Sequence, residues 1–389
     1  MHLFMKEGMA LEDLAIYIHI PFCQSKCYYC DFISFPNLDR EIDFYINYLL
    51  REIENYENLL KHYNIKTIFI GGGTPSYLDA KYIYMILNSI YKKYNINKVE
   101  EITIEANPGT VDKEKLGIYK EAGINRISLG VQSLNDRLLK SIGRIHNSKD
   151  FYNTIEDIRK VGFQNINADL IFGLPGQSLR ECEESLREIV KLDLEHISYY
   201  ALILEENTLL EKWHSEGKVV LPDEELEREM YYLGKDILKA NGYRHYEISN
   251  FAKKGYESKH NLFYWQLKPY IGFGLSSHSN LNNKRFWNTT NLKEYYNYID
   301  YGKFPVVGEE YINLETEIVE YLIMGLRLVD GIEKEEFFNR FNVPIEEIYG
   351  DVLIKHKNNG LLYIDEKSVR FTSKGLDLSN QLYIDILPE

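Results

Sequence analysis

Cysteine is scarce in this chain: there are four in 389 residues, and three of them, Cys23, Cys27 and Cys30, stand within eight positions. Scarcity combined with crowding excludes a disulfide scaffold and points to metal or redox work where thiols stay reduced. Long apolar runs are missing too; none exceeds strand length, so no transmembrane helix is expected. The opening stretch MHLFMKEGMALEDLA lacks the apolar centre of a secretory signal and carries Glu7, Glu12 and Asp13, so a cytoplasmic location is expected. Basic residues are outnumbered, 45 Lys and Arg against 59 Asp and Glu, for a formal charge of −14. A phosphate backbone would be repelled by such a chain, so no nucleic-acid partner is expected. A hydrophobic content of 44% with 27% charge excludes disorder. The length favours one large domain with a smaller one beside it.

What is present is a rhythm. Short β-rich runs (16–20, 67–70, 101–106, 126–131, 166–171 and 197–203) alternate with amphipathic stretches at 40–61, 78–94, 112–122, 149–161 and 178–192. Alternation of this kind predicts parallel strands joined by right-handed helical crossovers. Six units fall short of the eight of a closed barrel, so the expected fold is α/β, a partial (β/α)6 barrel. After residue 205 a helical segment (222–240) leads into a loop-rich aromatic stretch. From 305 helices are followed by the short strands LLYID and SVRFT, the pattern of a winged-helix-like α+β domain. Its many glutamates favour a packing or lid role over DNA binding. The expected domains are 1–205, 206–304 and 305–389.

The cysteines are spaced C-x3-C-x2-C directly after the first strand. A structural zinc site wants four ligands, usually in distant pairs. The remaining thiol, Cys182, shares a helical face with Leu179, Leu186 and Ile189 and reads as core. Three thiolates on one tight loop suit a [4Fe-4S] cube with one iron left open to a small molecule. Further polar residues stand where later strands end: the glycines of GGGTP (Gly71 to Pro75), then Glu105, Gln132, Arg144 and Asp169. In βα barrels, strand ends at one mouth gather functional groups.

The cysteine spacing, placed after the first strand of a βα series, resembles the signature of the radical S-adenosylmethionine (SAM) superfamily. In that superfamily SAM chelates the open iron, and one-electron reduction cleaves it to a 5′-deoxyadenosyl radical. The likeness covers nearly the whole chain, including EKWHSEGKVVLPDEE and FTSKGLDLSN, and is to the oxygen-independent coproporphyrinogen-III-oxidase-like branch. It implies that Cys23, Cys27 and Cys30 hold the cluster. It implies further that Tyr17 packs by cluster and SAM, and that Gly72, Gly73 and Thr74 hold the methionyl amino end. Glu105, Gln132, Arg144 and Asp169 would serve the ribose hydroxyls and the carboxylate, Arg144 being the natural carboxylate partner. His19 would tune the cluster or make a structural hydrogen bond.

Within that branch the chain resembles HemW-type haem chaperones more closely than oxidases. The oxidase pattern continues C-x-C where Phe32 stands here, and only 22 residues precede Cys23. Residues 260–265 read HNLFYW, similar to the H-N-x-x-Y-W motif associated with haem in HemW-type proteins. This implies His260 as an exposed iron ligand on a loop, with Tyr264 and Trp265 as walls and His278 as the alternative ligand. The implied partners are haem, a haem-acceptor protein and an electron donor to the cluster. Coproporphyrinogen oxidase activity is not expected; that decarboxylation, or another radical reaction on a tetrapyrrole, is the alternative.

Overall fold

A computed structural model describes residues 11–387; Glu7 lies outside the described residues. Six strands pair in parallel and in chain order: β1 (Glu12–Ile20), β2 (Tyr63–Gly72), β3 (Glu101–Ala106), β4 (Arg126–Gln132), β5 (Ile166–Phe172) and β6 (His196–Ala201). Between them run α1 (Ile42–Asn55), α2 (Ala80–Lys93), α3 (Lys113–Glu121), α4 (Ser148–Val161) and α5 (Leu179–Lys191), and α6 (Glu224–Ala240) follows β6. This is the expected α/β partial barrel.

Strand period explains why it encloses a site. Ile68 and Ile70, Ile102 and Ile104, and Ile127 and Leu129 are buried core residues. The alternate positions, on the opposite face of each strand, are polar or small: Glu105, Ser128, Gly130, Asn167 and Asp169 line one cavity. Strands with two apolar faces are the rule in buried parallel sheets; a polar inner face marks a cavity that holds something.

Helix ends are well specified. Asn147 with Asp150 opens α4 and Ser178 with Glu181 opens α5, each as a capping box. Cys182 on α5 is buried, as its helical face predicts, with Sγ 3.0 Å from the Tyr199 hydroxyl. Gly234 of α6 packs directly on the Tyr199 ring, where any side chain would collide.

The sheet continues past both edges of the six strands. β7 (Arg244–Glu247) and β8 (Asn250–Ala252) add antiparallel beside β6. On the other side β9 (Tyr270–Phe273) joins β1 in parallel, followed by antiparallel β10 (His278–Leu281), β11 (Lys284–Asn288) and β12 (Val306–Tyr311). Buried Glu52 of α1 ties this extension to the barrel. It accepts from Gly274 N, Asn288 Nδ2 and the Tyr295 hydroxyl, each at 2.7 Å, while burial pushes its carboxyl up to about 7.

The segment HNLFYW differs from expectation. It is a helix, α7 (Lys259–Trp265), not a loop, because two partners fix its N-terminus. Ser258 caps it, and the Glu101 carboxylate from β3 accepts the Lys259 and His260 amides, both at 3.1 Å. A second core, with Leu322, Leu326, Phe337, Leu353 and Val369, gathers the C-terminal helices α8 (Leu314–Gly325), α9 (Lys334–Phe341) and α10 (Ile345–Asn358). A three-stranded sheet, β13 (Ile332–Glu333), β14 (Leu362–Ile364) and β15 (Ser368–Phe371), completes the winged-helix-like pattern.

Candidate cluster and cofactor site

The loop after β1 is pinned at both ends. Phe22–Cys23 and Phe35–Pro36 pair as two short parallel strands, and Phe35 N donates to Pro21 O at 2.8 Å. The loop turns on Cys30 N to Cys27 O at 3.3 Å, and Tyr28 is held between Ile142 O and Leu210 N. All three thiols therefore line one cavity of about 490 Å³ at the strand ends. GGGTP presses against them: a Cβ on Gly73 would lie 2.7 Å from Phe22 O and 2.9 Å from Cys23 Sγ. The Thr74 hydroxyl approaches Cys23 Sγ at 3.5 Å, and Arg144 Nη1 approaches Cys27 Sγ at 3.5 Å.

The donor set fits an iron–sulfur cube. Burial pushes the Cys23 thiol up, and the Cys30 thiol up to about 11, so thiolates here call for cations beside them. Among the described residues no three His, Cys, Asp or Glu side chains converge on a single ion. A cube has no such need, since each thiolate takes its own iron.

Seven of the eight expected SAM residues meet in the same cavity: Gly72, Gly73, Thr74, Glu105, Gln132, Arg144 and Asp169. Glu105 accepts from Gly72 N at 3.1 Å; burial, and then the nearby Asp169 charge, push its carboxyl up to about 8. Asp169, also raised by burial, accepts from Asn167 Nδ2 at 2.7 Å and from the Ser128 hydroxyl at 3.3 Å. Arg144 donates through Nη2 to Asn107 Oδ1 at 2.6 Å and to Gly130 O, leaving its buried Nε without a partner. Gln132 stands at a bulge between β4 and β5 with φ of 63°, which re-aims its side chain. A guanidinium with an unpartnered nitrogen, in one cavity with two carboxyl groups, suits a ligand carrying both a carboxylate and hydroxyls, so the residues present fit SAM.

Tyr17 does not join them. Its ring lines a different cavity, and its hydroxyl donates to His19 Nδ1 at 3.1 Å, while His19 Nε2 donates to Ile33 O at 2.8 Å. With both nitrogens engaged and burial lowering it to about 4, His19 takes the structural role.

His260 is likewise displaced from its expected setting. It is 1% exposed, with Nδ1 2.8 Å from the Thr67 hydroxyl, Nε2 2.8 Å from the Tyr264 hydroxyl, and its ring against Phe69. Burial and the Arg126 charge bring it down to about 3, so it is a neutral core imidazole and not an exposed one. The same helix α7 nonetheless reaches two cavities. Asn261 faces the cluster-side cavity, while Tyr264 and Trp265 line a second one of about 750 Å³, with His278 among its walls. Asp31 and Phe32 of the cysteine loop border both.

Sequence reading missed the inner half of the cluster-side cavity: Arg126, Ser128, Asn167, Ser198 and Tyr200. Each stands an even number of positions before a recognised strand-end residue, or on the same face of β6. Counting back by two from Gln132 and Asp169 would have found Arg126, Ser128 and Asn167, whereas β6 offered no recognised residue from which to count.

This arrangement defines a class, the radical SAM proteins. The sequence matches the radical SAM superfamily over residues 17–189 and the HemN C-terminal domain over 312–378. It is 38% identical to heme chaperone HemW of Lactococcus lactis, covering 96% of this chain and 97% of that one. To heme chaperone HemW of Bacillus subtilis it is 39% identical, covering 96% and 99%. Among solved structures it is similar to coproporphyrinogen III oxidase (HemN) from Escherichia coli, with TM-score 0.85, 22% identity and coverage of 98% and 91%. The chain belongs to the heme chaperone HemW family of the radical SAM superfamily.

Proposed function

We propose that this protein binds haem and hands it to an acceptor protein, working from a radical SAM core in the cytoplasm. Cys23, Cys27 and Cys30 hold a [4Fe-4S] cluster, and Gly72, Gly73, Thr74, Glu105, Gln132, Arg144 and Asp169 receive SAM. When bound, the cluster supplies single electrons taken from a donor protein. Residues 1–205 form the radical SAM unit, 206–304 the haem-associated extension and 305–389 the smaller domain. The chain's own groups act by positioning: GGGTP, without a side chain at Gly73, lets the backbone press against the cysteine loop, Arg144 neutralises a carboxylate, and Glu105 and Asp169 accept from hydroxyls. Haem meets α7 through Tyr264 and Trp265, and His260 acts through Tyr264 by holding its hydroxyl.

The observation that carries this reading is the large aromatic cavity reached by the HNLFYW helix and bordered by the cysteine loop. At position 32 that border is a 60% exposed phenylalanine, where the oxidase pattern has cysteine. Among the described residues no helix is long and apolar enough to cross a membrane. Anaerobic purification with cluster reconstitution, followed by parallel hemin titration and coproporphyrinogen III turnover, tests the proposal. Uptake near one equivalent without decarboxylation is expected. Decarboxylation with reductant and SAM would instead establish the oxidase alternative.

A further inference from the structure

We infer that haem sits in the 750 Å³ cavity between the barrel extension and α8, with His278 as its iron ligand and Lys268 beside a propionate. The inference rests on the haem-carrier reading and assigns the site within it. The size is right, since pockets for organic ligands run from about 300 to 1,000 Å³. The walls are right as well: Trp265, Trp287, Tyr264, Tyr270 and Met324 offer aromatic and thioether surface to a flat apolar macrocycle.

The choice of imidazole follows from hydrogen-bond accounting. An axial ligand needs a neutral ring with a free nitrogen. His19 spends both nitrogens on Tyr17 and Ile33, and His260 spends both on Thr67 and Tyr264. His278 is exposed in the same cavity, and no described residue hydrogen-bonds its ring nitrogens. Its ring lies nearly parallel to Trp287, at 5.9 Å and 24°, which limits its motion without occupying a nitrogen. Partial burial and the Arg285 charge lower its proton affinity, which keeps it neutral.

The cations of the cavity divide similarly. Arg285 is neutralised by Glu320 at 2.6 Å and Glu310 at 3.4 Å. Lys268 is exposed at the rim and forms no ion pair with a described residue. It is the cation left for a carboxylate arriving with the ligand. His260 then serves as a positioning residue, holding the Tyr264 wall.

The test is hemin titration of the full, cluster-reconstituted chain by Soret absorbance, with resonance Raman spectroscopy of the complex. Wild type should show a histidine–iron signature near one equivalent. His278→Ala should raise Kd at least tenfold and lose that signature, and free imidazole should restore it in His278→Gly. Lys268→Glu should weaken hemin about threefold or more while leaving its dimethyl ester unaffected. The assignment is overturned if the signature and affinity persist in His278→Ala but vanish in a folded His260→Gln variant. Should wild type take up no hemin, the haem-carrier reading itself falls, and this site with it.

Discussion

Glu105 is held in a setting that opposes its ionisation, and Glu105→Gln should expose the cost. Its carboxyl is raised from about 4.5 to about 8, first by burial and then by Asp169, against the lowering effects of the Gly72 amide and Arg126. Such a group favours folding fully below the unfolded value, and the benefit is lost as pH rises from about 4.5 to 8. At about 1.4 kcal/mol per pH unit, the full span is roughly 4–5 kcal/mol. Because Glu105 borders an open cavity, water screens part of that, and about 2 kcal/mol is a realistic expectation. Gln keeps the oxygen that accepts from Gly72 but cannot ionise. The assay is scanning calorimetry of cluster-loaded, SAM-free protein at pH 5 and pH 8.5. Relative to wild type the variant should gain about 4 °C more at pH 8.5 than at pH 5, at about 2 °C per kcal/mol for a chain of this size. SAM binding should weaken in the same variant, the usual opposition between stability and function at a site. Equal melting shifts at both pH values would refute the burial argument.

Cys23→Ala, Cys27→Ala and Cys30→Ala should each lose iron and sulfide on reconstitution, whereas Cys182→Ala should retain both, as elemental counting will tell. Arg144→Ala should weaken SAM by about 1.5–3 kcal/mol, the worth of a charged hydrogen bond; an unchanged response of the reduced cluster's paramagnetic resonance spectrum to SAM would contradict this. Gly234→Ala drives a methyl group into the Tyr199 ring and should cost about 1–3 kcal/mol in denaturant unfolding, without altering cluster content.

Local pattern carried the six parallel strands and their crossovers because hydrophobic period and turn residues both lie within each segment. β3 spans the same residues that alternation predicts, Glu101–Ala106. β9 escaped because YIGF is short and its pairing with β1 spans some 250 positions, invisible to any local window. The helix at HNLFYW escaped for a similar reason: the carboxylate that stabilises its start, Glu101, comes from β3. Strand ends pointed to the polar residues that line the cluster-side cavity because chain direction places them at one mouth. Tyr17 did not follow, since the Tyr17–His19 hydrogen bond and the Phe69 ring hold it toward the second cavity. His260 shows how a motif can name the right segment while only packing reveals which of its atoms are free.

Helix α7 also works as a ruler. Asn261 and Trp265 are four residues apart, about 6 Å along the axis at 1.5 Å per residue, and they border different cavities. The helix is bolted to the barrel by Glu101 at its start and by Thr67 through His260. The spacing between the two compartments is therefore set by covalent geometry and not by a hinge. A ligand seated against Trp265 would therefore lie at a fixed distance from the cavity that the three cysteines line.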